Sequence, residues 1–132
     1  MAIVKIDKNP IATNNIVFSE TDEFTKDMAD LNNKYNTVYK DLETFKLALT
    51  AALPDNLPGI IRISDLGDGI KCPVYKVKKF RCQALKGKGN RSGIRLIYTY
   101  YPSLEMIYFI EAYHKNKKDN EDRRRIQKYL SE

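Results

Sequence analysis

Between Val74 and Tyr113 the chain carries three runs rich in β-branched and aromatic residues: Val74 to Leu85, Gly93 to Tyr101 and Met106 to Tyr113. Such residues suit a pleated, half-buried surface. Gly87, Gly89 and Gly93 punctuate the first connection and Pro102-Ser103 the second, so the runs are separate strands joined by turns. The expectation is a three-strand antiparallel meander. Lysines and arginines lie on and between the strands, and a sheet with a cationic face is suited to gripping a polyanion.

The first run is irregular. Tyr75 and Val77 share one face, and strict alternation would add Lys79 and Arg81 to it, yet the next large apolar residues are Phe80 and Cys82. A slip of one residue at Lys78-Lys79 is the trace of a β-bulge. A strand buried on both faces would need no slip.

The remainder of the chain supplies helices. Ile3 to Ile6 and Asn15 to Phe18 are short apolar patches, of which one forms an opening strand and the other an extended lead-in. Ser19 is placed to cap a helix, with Asp22 as the acidic partner. Phe24, Met28, Leu31 and Tyr35 then recur at spacings of four, three and four, one face of a helix. Asn36 is placed to cap a second helix, whose stripe is Val38, Leu42, Phe45, Leu49 and Leu53, and Pro54 ends it. The short link between the two predicts an antiparallel helical hairpin. Ile60 to Ser64 reads as a short strand and Leu66 to Gly69 as a turn without the lysine and helix start of a phosphate loop. After a polar, basic connection from His114, Asn120 is placed to cap a helix over Glu121 to Leu130, with Ile126, Tyr129 and Leu130 facing inward. Arg123 to Arg125 in its first turn oppose the helix dipole, which implies either an offsetting anion or acidic partner, or a solvated charge run.

The predicted fold is therefore α+β: a helical hairpin packed on a twisted, mostly antiparallel sheet, with a short C-terminal helix, in one domain spanning residues 1–132. Charge divides that domain. Residues 1–69 hold 7 Lys/Arg and 11 Asp/Glu, whereas residues 70–132 hold 16 and 6, so a scaffold at −4 precedes a working half at +10. Two cysteines, Cys72 and Cys82, and one histidine show no metal-ligand spacing, so no metal or other cofactor is expected and both cysteines read as reduced thiols. No run approaches the roughly 20 apolar residues that span a bilayer. The opening MAIVKIDKNP lacks a long apolar core, so the expectation is a cytoplasmic protein without a signal peptide.

Two motifs carry a family likeness. Tyr75-Lys76-Val77-Lys78 is similar to a Tyr-Lys-x-Lys on the first core strand, and Ser92-Gly93-Ile94-Arg95-Leu96-Ile97-Tyr98 to a Ser-Gly-Tyr-Arg-Leu-Val-Tyr, of the RelE/ParE superfamily of toxins from type II toxin–antitoxin pairs. His114-Lys115 falls where many members have His-Arg. The chain resembles that family over residues 74–115 and by topology before them. It departs from it in a longer loop, Ala84 to Arg91, and in having Asn120-Glu121-Asp122 where ribosome-dependent members place a tyrosine that stacks on the substrate.

The resemblance implies a metal-independent, ribosome-dependent mRNA endonuclease, an mRNA interferase, in which the ribose 2′-hydroxyl attacks its own phosphodiester. That reaction needs a base, cations for the phosphorane charge and an acid for the leaving oxygen. Lys76 and Lys78, two apart, share one face of a regular strand. A free lysine, of pKa about 10.4, is a poor base near pH 7. Clustered cations such as Lys79, Arg81 and Arg95 favour the neutral amine. Lys78 is the expected base, Lys76 and Arg95 the expected phosphate holders, and His114 the expected acid. Arg95 is also placed for an ion pair with Glu111. Lys79, Arg81, Lys86, Lys88, Arg91 and Lys115 are expected contacts to nucleic-acid phosphates. The expected partners are a cognate antitoxin protein, mRNA and the ribosome. Two other functions share the fold: a ParE-like inhibitor of a protein target such as DNA gyrase, and a non-catalytic nucleic-acid-binding member.

Overall fold

The computed structural model describes residues 15–52 and 57–132, so Ile3 to Ile6, Leu53 and Pro54 lie outside the described residues. Phe24, Met28, Leu31 and Tyr35 form the buried stripe that the spacing predicts. They belong to helix α1 (Asp22–Lys34) and its C-cap. Helix α2 (Val38–Ala52) buries Val38, Leu42 and Leu49 beside them. This hairpin lies on a sheet of strands β1 (Val17–Glu20), β2 (Ile60–Ile63), β3 (Val74–Val77), β4 (Ile94–Tyr101) and β5 (Met106–His114), in the order β1-β5-β4-β3-β2. Strand β1 runs parallel to β5, and the other neighbours are antiparallel. The meander β3-β4-β5 is thus the centre of the sheet.

Alternation divides the sheet into two apolar layers. Tyr75, Val77, Leu96, Tyr98, Ile107 and Phe109 pack against the hairpin. Val74, Ile97, Ile110 and Tyr113 pack on the other face against Ile126 and Leu130 of helix α3 (Arg123–Leu130). The helical half and the C-terminal helix therefore sandwich the sheet, which explains why β4 is apolar on both faces.

Several local expectations are corrected. Strand β3 stops at Val77, and no bulge forms at Lys78-Lys79. The Lys78 N–H instead donates to the Gly59 carbonyl at 2.7 Å and the chain leaves the sheet. Phe80 and Cys82 are buried because the long loop folds back under the hairpin. The loop's backbone is satisfied by side chains: Ala84 N–H donates to Thr37 Oγ1 (2.8 Å), Gln83 N–H to Asp41 Oδ2 (3.2 Å), and the Ser92 hydroxyl donates to the Phe80 carbonyl (2.5 Å). These bonds keep the buried polar groups paired.

The bulge lies in β5. The register steps from Ile97 opposite Glu111 to Tyr98 opposite Phe109, leaving Ile110 unmatched. Its displaced carbonyl accepts from the Thr21 hydroxyl (3.3 Å) and from Arg125 Nη1 (3.0 Å). The bulge puts Ile110 and Glu111 on the same face of the sheet, beside α3.

The helix caps also differ. Ser19 is in β1, which extends to Glu20 through its pairing with β5, and Thr21 caps α1 by accepting the Phe24 N–H at 3.0 Å. Helix α2 begins at Val38, one residue after Thr37, whose carbonyl takes the Asp41 N–H at 2.8 Å. Asn36 therefore stays in the connecting turn. Asp122, not Asn120, caps α3, accepting the Arg125 N–H at 3.0 Å.

Candidate nucleic-acid interface

Cross-strand partners share a face. Lys76 is opposite Ile97 and Arg95 opposite Tyr113, so both cations project from the α3 face of the sheet. Lys78 follows the end of β3 and is exposed. Arg95 Nη1 donates to the Lys78 carbonyl at 3.0 Å, tying the guanidinium to the backbone of the lysine. Arg95 does not pair with Glu111. That carboxylate, 1% exposed, takes the Asp122 N–H at 2.8 Å and the Lys118 ammonium instead.

Lys76 is engaged as well. Its Nζ lies 3.0 Å from Glu121 Oε1, with the two side chains 12% and 6% exposed. Glu121 Oε2 also accepts from Arg123 Nη2 at 3.2 Å. Burial pushes the Glu121 carboxyl up, but hydrogen bonds from its own backbone and from Lys76 outweigh this and hold it below the ordinary carboxylate range.

His114 faces the other way. It is opposite Ile94 and stacks on Tyr35 of the hairpin, with ring centroids 5.5 Å apart. Nε2 is 3.0 Å from the Ser92 carbonyl, and Nδ1 accepts the Asn116 N–H at 3.0 Å. A carbonyl only accepts and an amide only donates, so the ring is the neutral Nε2–H tautomer. Burial lowers its pKa first, and Lys34, Lys115 and Arg95 add to the effect. The fold places Lys76 and Arg95 on one face of neighbouring strands, ties Arg95 to the Lys78 backbone, and sets His114 on the opposite face of the sheet.

The Ser92-Gly93 motif has a structural role. Ser92 Oγ accepts the Ile94 N–H at 3.1 Å while donating to Phe80, which pins the loop to the start of β4. Gly93 has φ +85° and lies against the His114 ring. Lys79, Arg81, Lys86, Lys88, Arg91 and Lys115 are all exposed, as phosphate contacts need to be.

The arginine run finds its anions inside the chain. Arg125 pairs with Asp27 Oδ2 at 2.5 Å, and Lys128 and Tyr129 hold Glu23 at 3.1 and 2.8 Å. Arg123 Nη1 binds the carbonyls of Ser64 and Asp65 at 3.2 and 3.0 Å.

Sequence reasoning missed Tyr113. It neighbours Arg95, and its hydroxyl is buried without a hydrogen-bond partner. Burial, with Glu121 and Glu111 nearby, raises the phenol's pKa, so it stays protonated. Only its alternation with His114 marked it out. A cleft of about 410 Å³ opens between α1 and the end of β5, lined by Lys34, Tyr35, Tyr113, His114, Lys117 and Lys118 among others. Among the described residues no helix is long and apolar enough to cross a membrane.

No protein-family model matches the chain, and no curated protein does. Among solved structures the fold is similar to that of a chain in the archaeal RelE–RelB complex from Pyrococcus horikoshii OT3, with a TM-score of 0.50 at 13% identity, covering 78% of this chain and 98% of that one. At that identity the likeness is one of architecture: the hairpin, the mixed five-stranded sheet and the short C-terminal helix make the fold RelE-like.

Proposed function

We propose that the protein is the toxin of a toxin–antitoxin pair and acts on translated mRNA as a metal-independent endoribonuclease. The observation that carries the reading is the Lys78–Arg95 unit. An exposed lysine at the end of the central meander has an arginine anchored on its own carbonyl at 3.0 Å, and exposed cations of the long loop follow it in the chain. Lys78 serves as the base for the ribose 2′-hydroxyl. Arg95 stabilises the phosphorane charge, where a preorganised cation has its largest effect. The RelE-like fold supports a cognate antitoxin, an acidic partner that covers the basic surface.

His114 contributes as a neutral ring that holds Ser92 and Asn116 in place, since its two nitrogens are both engaged. A second reading, a nucleic-acid-binding member that cuts nothing, is favoured by the closed Lys76–Glu121 pair. Primer extension on a translated message separates the two. The nuclease produces new 5′ ends, and Lys78→Ala and Arg95→Ala remove them while remaining folded. Growth arrest without new 5′ ends rejects cleavage and moves a protein-target inhibitor to first place. RNA binding with neither arrest nor cleavage selects the binding member.

A further inference from the structure

Glu121 sits between two cations that the scaffold holds independently of it. Lys76 projects from β3, and its Nζ is 3.0 Å from Oε1. Arg123 is anchored to the carbonyls of Ser64 and Asp65, and its Nη2 is 3.2 Å from Oε2. An ammonium and a guanidinium that hold a carboxylate through charge-assisted hydrogen bonds are also suited to hold a phosphate. The carboxylate arrives on the connection 115–122, none of whose side chains joins either apolar cluster. Polar bonds hold this strap down: Asp122 N–H and Lys118 on Glu111, and Glu121 on Lys76. No buried apolar contact opposes opening of this segment, so its cost lies in these polar bonds, and a bound phosphate offsets the part that Lys76 and Arg123 lose. Beneath it lies the Tyr113 hydroxyl with no hydrogen-bond partner, and Lys118 Nζ is 5.0 Å from the centre of that ring. An unsatisfied buried hydroxyl gains a partner when the strap lifts.

We propose that Lys76 and Arg123 form an anion seat that Glu121 fills in the resting protein, and that an RNA phosphodiester takes the seat when the strap 115–122 lifts. Glu121 is then an internal competitor of the substrate, and the Tyr113 hydroxyl becomes a neutral donor to the bound phosphate. The inference rests on the proposed reading of the protein as an RNA binder.

The test is a double-mutant cycle on the full chain, read by fluorescence anisotropy with a single-stranded RNA oligonucleotide at fixed salt. Glu121→Gln keeps the shape and removes the competing charge, and is expected to tighten RNA binding by about fivefold or more, the lower end of an ordinary coupling between two ligands of one site. Lys76→Met is expected to weaken RNA binding in both backgrounds, by the larger factor in the Glu121→Gln background, where no carboxylate competes for the ammonium, and there to abolish the gain. Equal effects of Lys76→Met in both backgrounds, or no tightening by a folded Glu121→Gln protein, overturn the seat. Hydrogen exchange on the unmodified protein covers the case in which Glu121→Gln fails to fold. RNA should then deprotect the Asp122 amide, and an unchanged or more protected amide overturns the proposal. Binding that responds to Lys78→Ala and Arg95→Ala but not to this cycle sinks the seat alone. No RNA binding by any form sinks both the seat and the reading beneath it.

Discussion

Gly93 and His114 touch so closely that a Cβ on Gly93 would lie 2.7 Å from His114 Nε2. The glycine also holds φ +85°, which an L side chain rarely adopts. Gly93→Ala is therefore expected to destabilise the fold by about 1–3 kcal/mol from backbone strain alone, with the contact adding to it. Urea denaturation measures the loss. A midpoint unchanged from wild type would mean that the ring and the loop yield freely, and that Ser92-Gly93 is not a structural lock.

His114 makes stability depend on pH. Its folded pKa is depressed by burial and by Lys34, Lys115 and Arg95. The unfolded histidine takes a proton near pH 6.5, whereas the folded ring does not. Below that pH the unfolded state binds more protons, so stability is full above about pH 6.5 and falls as pH drops toward and through the folded value. The chain has one histidine, so its ring resonances titrate without overlap. NMR should find the Nε2–H tautomer at neutral pH and a midpoint below that of a free histidine. His114→Gln should flatten the change in urea midpoint between pH 7.5 and 5.5. A normal or raised midpoint would favour the ring as the acid of the proposed reaction.

The division between what could and could not be read from the residues follows the range of the interactions. The stripe Phe24, Met28, Leu31 and Tyr35 is a local pattern that folded as its period requires, and the β-branched and aromatic runs became β4 and β5 through their composition. The bulge at Ile110 was hidden because Phe109, Ile110, Ala112 and Tyr113 are apolar on both sides of Glu111, so no break in alternation marks the extra residue. The end of β3 was hidden because Phe80 and Cys82 look like strand residues, although they are buried by a loop pinned through Thr37, Asp41 and Ser92. The Lys76–Glu121 pair joins residues 45 apart, and no spacing rule reaches that far. The lysines stood out by type and by family likeness, but their partners did not.

Arg125 fastens α3 to both α1 and the bulge. Its guanidinium binds Asp27 and the Ile110 carbonyl, and its side chain is 13% exposed. Removing it leaves that carboxylate and carbonyl without a charged donor. Arg125→Met should cost about 1.5–3 kcal/mol, the usual range for hydrogen bonds to a charged group, with Asp27 keeping the Ala112 N–H and the Ile110 carbonyl keeping the Thr21 hydroxyl. Asp27→Asn should cost less, because the amide still accepts from the guanidinium. Chemical denaturation of the two single variants and the double variant gives the coupling directly. Strictly additive losses would show that the pair contributes nothing beyond its separate contacts.

If the protein binds RNA as proposed, the loop cations should set the salt dependence of that binding. Lys86, Lys88 and Arg91 are exposed around Gly87 and Gly89, both at positive φ. Each phosphate contact to a single strand contributes about 0.7 to the slope of log K against log salt. If all three residues contact phosphates, the triple alanine variant should lower the slope by about 2. It should weaken binding evenly across oligonucleotide sequences, because phosphate contacts carry no sequence information. Stability should hold, since exposed charges distant from the core contribute little. Anisotropy titrations over a series of salt concentrations, with two oligonucleotides of unrelated sequence, decide the matter. An unchanged slope would place the loop outside the RNA path and leave Lys78, Arg95 and Lys115 to carry the electrostatic contact. A loss confined to one oligonucleotide would instead make the loop a reader of sequence.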